Sequence, residues 1–143
     1  MLLDKLIWYD EYLSGIQVID EQHKDIFTSF NKFYETLNAG EVDKDIIDKF
    51  LETLNFYTTI HFDTEEKFMK EYNYSGYEDH KKRHAFFKSI YEELRDNRFF
   101  RYTAGHLFAY SLATLSGEWW ETHIVTHDRE LVYFLKQLVE FTS

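Results

Sequence analysis

Four segments of this 143-residue chain place apolar residues in alternating steps of three and four, the spacing that draws one stripe along a helix. The first stripe is Ile16, Ile19, His23, Ile26, Phe30, Phe33 and Leu37, and the second is Ile47, Leu51, Leu54, Thr58, His61, Glu65 and Phe68. The third is His80, His84, Phe87, Tyr91 and Leu94, and the fourth is Ala109, Leu112, Ser116, Trp119 and His123. With no proline and only five glycines, few residues break long helices. The pattern predicts an all-α fold, an antiparallel up-down-up-down four-helix bundle. Its helices span about 19–38, 43–71, 77–96 and 102–127, with Asp43 as an N-cap and Gly40 in a left-handed cap. Residues 1–18 read as an ordered N-terminal arm, because Leu6, Ile7, Trp8, Tyr9 and Leu13 are too apolar to leave in water. Leu131, Phe134, Leu135 and Leu138 predict a short C-terminal helix against the bundle end. Residues 1–143 form a single domain, with no repeat or linker.

Five histidines and a glutamate lie on these stripes, where a dry interior requires each to find a partner or bind a metal. In an up-down-up-down bundle the starts of the first and third helices lie beside the ends of the second and fourth. His23 opens the first helix, His61 and Glu65 come late in the second, His80 and His84 open the third, and His123 falls late in the fourth, shortly before Asp128. The seven side chains therefore converge in one layer. His61 and Glu65, like His80 and His84, are four apart and so neighbours on a helix.

Imidazole with carboxylate suits iron, zinc, copper or nickel, and the absence of cysteine excludes thiolate sites. If Glu65 and Asp128 both bridge, the ligand number fits two metals sharing an oxide or hydroxide. Five histidines then divide three and two, leaving one metal with an open position. A net charge of −10 argues against nucleic acid or anionic membranes as partners. The N-terminus lacks the apolar core of a secretory signal, and no segment reaches the roughly 20 apolar residues that span a bilayer, so the expected location is the cytoplasm.

The chain resembles the hemerythrins, specifically the single-domain bacterial kind. The resemblance rests on Trp8, Gly15-Ile16, Ile19-Asp20-Glu21-Gln22-His23, His61-Phe62, Glu65-Glu66, Met69, His80, His84, Trp119, His123-Ile124 and Asp128. It implies two irons, one held by His80, His84 and His123, the other by His23 and His61, with Glu65 and Asp128 bridging. It implies dioxygen as the ligand of the open position, for storage, delivery or sensing, with oxygen binding rather than turnover as the leading expectation; the bundle is expected to be a monomer. Azide-like anions and peroxide are further expected ligands. The competing reading is a di-iron peroxidase or oxidase in which bound peroxide reacts onward. Ferritin-like di-iron enzymes use a Glu-x-x-His pair on each of two helices, and this chain has none.

The resemblance also implies an oxygen pocket of Ile26, Phe62, Trp119, Trp120 and Ile124. Trp120 stands where the family typically has leucine. At about 100° per residue, Trp120 lies about 60° around the helix from His123 and Asp128 about 140° in the same sense, which aims Trp120 between the two ligands. His127 reads either as a hydrogen-bond partner of a ligand or as a residue facing water. His106 reads as a surface or capping residue, and Lys81-Lys82-Arg83 and Asp63 to Glu66 as solvated faces.

Overall fold

The computed structural model describes residues 5–97 and 105–138. The expected start of the fourth helix at 102, the His106 side chain and residues 1–4 and 139–143 of the expected domain lie outside the described residues. Helices α1 (Gln17–Asn38), α2 (Lys44–Glu71), α3 (Tyr77–Asp96) and α4 (Gly105–His123) form the bundle, with no strand among the described residues. Each helix packs on the next, and α4 closes the ring against α1.

Short polar signals set the turns. Gly40 ends α1 with φ 72°, and the Glu41 amide reaches back to the Thr36 carbonyl at 3.1 Å. Asn73 does the same for α2 at φ 54°, with Tyr74 N–H donating to Met69 O at 2.9 Å. Both follow the six-to-one helix ending that needs a left-handed residue. Asp43 caps α2 by accepting from the Ile46 amide at 2.9 Å.

The arm is only partly as expected. Leu6 and Trp8 pack against the core, whereas Ile7, Tyr9 and Leu13 are 56%, 49% and 46% exposed. Residues 5–9 run without helix, and an extended segment has a period of two, so Ile7 and Tyr9 turn outward, while Leu13 follows a 3-10 turn at Asp10–Tyr12. Asn31 holds it by pairing with both the amide and the carbonyl of Leu6 at 2.8 and 2.9 Å. Buried Asp20 accepts from the amides of Ser14 and Gly15, fixing the junction with α1.

The C-terminal helix, α5 (Arg129–Lys136), does not begin after a loop. A π-helical segment at Ile124–Asp128 joins it directly to α4. Two apolar clusters result. The larger holds Phe30, Phe62, Phe87, Leu112 and Trp120 along the bundle, and the smaller packs Leu131 and Leu135 of α5 on Ile16, Ile19 and Met69. In sequence three of the seven site residues fall between the clusters: His23 between Ile19 and Ile26, Glu65 between Phe62 and Met69, Asp128 between Ile124 and Leu131. The polar layer is sealed on both sides.

At Gly117 of α4 an added Cβ would collide with the Tyr34 hydroxyl of α1. That hydroxyl donates to the Ala113 carbonyl at 3.1 Å. Gly117→Ala should therefore lower stability by about 1–3 kcal/mol, as overpacked cores do. Thermal unfolding would show the loss, and adding Tyr34→Phe should recover most of it. An unchanged melting temperature in Gly117→Ala would contradict this packing.

Candidate metal centre

All seven side chains expected in the layer meet there, none more than 2% exposed. Each of the five imidazoles turns Nε2 inward. Asp128 divides them: Oδ2 lies 2.8 Å from His23 Nε2 and 3.2 Å from His61 Nε2, while Oδ1 lies 3.1 Å from His80 Nε2 and 2.9 Å from His123 Nε2. Glu65 Oε1 is 3.3 to 3.4 Å from Nε2 of His61, His80 and His84. Two sets of ligand-type atoms, each within 4.8 Å of one another, emerge: Glu65, His80, His84, His123 and Asp128, and His23, His61, Glu65 and Asp128. The carboxylates belong to both.

The π-helical segment makes this possible. His123 and Asp128 are five residues apart, which on an α-helix would set them about 140° apart. A turn closed by i→i+5 hydrogen bonds brings residues five apart onto one side. The expected angle of Asp128 is corrected accordingly. The Trp120 ring is 5.5 Å from His61 on α2 and 6.2 Å from His123, nearer the two-histidine set.

Residues outside the layer fix two rings. His61 Nδ1 is 2.9 Å from Gln22 Oε1, and the Gln22 amide nitrogen donates to Thr64 Oγ1 at 3.0 Å, which fixes the amide's direction. His84 Nδ1 is 2.9 Å from Glu66 Oε2. Each Nδ1–H donates outward, so each Nε2 keeps its lone pair for the interior, the usual second-sphere arrangement of a metal-binding imidazole. Glu66 is thus not simply part of a solvated face. The sequence held one clue, since residue 66 adjoins Glu65 and can face α3.

Phe62 stacks on His84 with centroids 3.8 Å apart, and Trp120 stacks on Phe62 at 5.3 Å. Ile26 and Ile124 are buried in the same cluster. Trp119 is half-buried and stacks on His123 at 4.4 Å. It lines a surface cleft of about 440 Å³ with Lys82, Arg83, Phe86 and His127. His127 pairs with Thr126 Oγ1 at 2.9 Å and stacks over His123 at 5.5 Å; among the described residues it makes no hydrogen bond to a ligand candidate.

The layer's polarity fits metal. Both Glu65 oxygens, Asp128 Oδ1 and His80 Nε2 are buried and make no well-formed hydrogen bond among the described residues, although carboxylate oxygens and imidazole nitrogens stand 2.9 to 3.4 Å apart. Each such atom costs about 1–3 kcal/mol unless something satisfies it, and hard-to-borderline cations suit this nitrogen and oxygen set. Without metal, protons must do the balancing. Burial and then the neighbouring His23 push His61 down to about 4. Burial, followed by His80, also lowers His84 far below the usual imidazole range. Burial opposes charge on His80, but Asp128 and Glu65 outweigh it and hold this imidazole up at about 10. Burial and Asp128 raise Glu65 well above the usual carboxylate range. For Asp128 burial acts upward, yet contacts with His123, His23 and His61 win and keep it low.

Among known families, the Hemerythrin HHE cation binding domain matches residues 14–135. A bacteriohemerythrin of Pseudomonas aeruginosa (strain LESB58) is 34% identical over 123 residues, covering 86% of this chain and 76% of that protein. A bacteriohemerythrin of Stenotrophomonas maltophilia (strain R551-3) is 31% identical over 130 residues, covering 87% and 77%. Myohemerythrin of Sipunculus nudus is 31% identical over 93 residues, covering 64% and 70%. No solved structure matches.

The His80 imidazolium gives the metal-free protein a pH signature. Its pKa in the fold, about 10, stands above the 6.5 of an ordinary imidazole. Its contribution is therefore fully present below pH 6.5 and is lost as pH rises through about 10. The melting temperature of metal-free protein should fall between pH 7 and 10, and the fall should shrink in His80→Gln. A flat profile across that range would contradict the charge assignment.

Proposed function

The chain belongs to the hemerythrin family, and from that premise we propose a non-haem di-iron protein that binds dioxygen at an asymmetric centre. His80, His84 and His123 hold one iron, His23 and His61 the other, and Glu65 and Asp128 bridge them. The observation that carries this reading is Asp128, whose two oxygens address different histidine sets. A carboxylate so placed spans two cations, whereas a single-metal site would draw on one oxygen or chelate with both. When bound, the irons, sharing an oxide or hydroxide, would supply the electron pair that dioxygen takes up.

The protein's own part is placement and exclusion. Gln22 and Glu66 hold the lone pairs of His61 and His84 toward the irons. The two apolar clusters keep water from the layer, which strengthens each electrostatic contact within it. Ile26, Phe62, Trp119, Trp120 and Ile124 form the walls of the oxygen pocket, with Trp120 beside the two-histidine set, where the open position falls. The same reading makes the protein a cytoplasmic monomer for oxygen storage, delivery or sensing, with azide-like anions and peroxide as further ligands. No described helix is long and apolar enough to cross a membrane.

A second reading, a di-iron peroxidase or oxidase, draws on Trp119. This ring stacks on His123 and lines the surface cleft, an aromatic contact between centre and solvent. Mixing reduced, iron-loaded protein with oxygen in a stopped-flow spectrometer separates the two. The oxygen-binding reading expects two irons per chain and a coloured form that persists and clears under vacuum. Immediate decay to the ferric state with steady consumption of a reductant would favour the enzyme. A single zinc, or one iron per chain, would overturn the di-iron centre itself.

A further inference from the structure

Trp120 carries a buried donor for which the fold has no use. Its side chain has 0% exposure, and its Nε1 has no hydrogen-bond acceptor among the described residues. An indole N–H can only donate, and a buried donor left unmade weakens a fold. The nearby imidazole offers nothing: His61 Nδ1 is engaged by Gln22, and its Nε2 by His23 and Asp128. Around the indole stand Phe62, Phe87 and Trp119. A ring face is at best a weak acceptor. Stacking on Phe62 would be served equally well by phenylalanine, which carries no such penalty. What tryptophan adds at this position, besides the bulk of its second ring, is the donor.

The indole's place says what could use it. It lies 5.5 Å from His61, closer than to His123 at 6.2 Å, and so beside the set with fewer histidines. Resting on the di-iron reading, we infer that the Trp120 N–H donates a hydrogen bond to an anionic ligand held at the open position of the two-histidine iron. Trp120 then determines specificity twice. The bulk of the ring limits the ligand to a few atoms, and the N–H favours one that presents a negative acceptor atom. Small anions such as azide are the ligand class. Charge-assisted hydrogen bonds of this kind are the stronger ones, and in a dry site no water competes for the donor.

Trp120→Phe keeps a flat ring against Phe62 and removes the N–H. Iron content and azide affinity of the ferric protein, followed by absorbance, are measured for both forms. Ultraviolet resonance Raman spectra follow the indole N–H of wild-type protein with and without azide, using Trp120→Phe to identify the band. The expectation is unchanged iron, azide binding weaker by about tenfold or more, and an N–H band that shifts when azide binds. Equal affinities in two fully iron-loaded proteins would overturn the inference and leave the di-iron centre standing. Should Trp120→Phe lose iron, the wild-type band decides: a shift with azide supports the hydrogen bond, and an unmoved band refutes it. Wild-type protein that holds two irons but takes up no azide also overturns it, whereas wild-type protein lacking two irons fails the di-iron reading first.

Discussion

Glu65 and Asp128 are carboxylates with 0% and 1% exposure, set in one layer among five imidazoles. An isolated carboxylate moved from water to such an interior costs several kcal/mol even after relaxation. These two have to be balanced, by protons or by cations. In the metal-free protein burial drives Glu65 toward its neutral form, and the His80 imidazole stands 3.1 and 3.3 Å from the two carboxylates. A pair of metal ions would do it more completely, satisfying the unpartnered oxygens and the inward lone pairs together. The architecture around the layer serves that demand: apolar clusters above and below, outward Nδ1–H bonds to Gln22 and Glu66, and the arm tied to α1 by Asn31 and Asp20.

The π-helical segment at Ile124–Asp128 is where backbone geometry and chemistry meet. Such single-turn widenings interrupt an α-helix at a cost and are frequent at functional sites. Here the widening places His123 and Asp128 2.9 Å apart although five residues separate them. It also redirects the chain into α5, whose Leu131 and Leu135 close the lid over Ile19 and Met69. One local irregularity thus places a candidate ligand and seals the layer that holds it.

Much of this was legible in the residues. The alternating steps of three and four reported the four helices, and the start-end-start-end order of His23, His61, His80 and His123 reported their meeting. Gly40 and Asp43 announced the first turn through backbone chemistry that few other residues provide. What stayed hidden depended on departures from regular geometry or on partners brought by packing. The angle of Asp128 was misjudged because a helical wheel assumes α-turns throughout. Glu66 passed for a surface charge because its partner, His84, lies on another helix. Ile7, Tyr9 and Leu13 face water because hydrophobicity alone does not say which side of an extended arm is covered. Trp120 is conspicuous in the sequence, but its orphaned N–H becomes visible only when its neighbours are known.

The account stands or falls on one asymmetric pair of cations in this layer. Anomalous diffraction at the iron absorption edge from crystals of iron-loaded protein would see it directly. Two peaks are expected, one among His80, His84 and His123 and the other beside His23 and His61, with an oxygen of Asp128 toward each. A single peak, or two peaks sharing the histidines in any other division, would contradict the account.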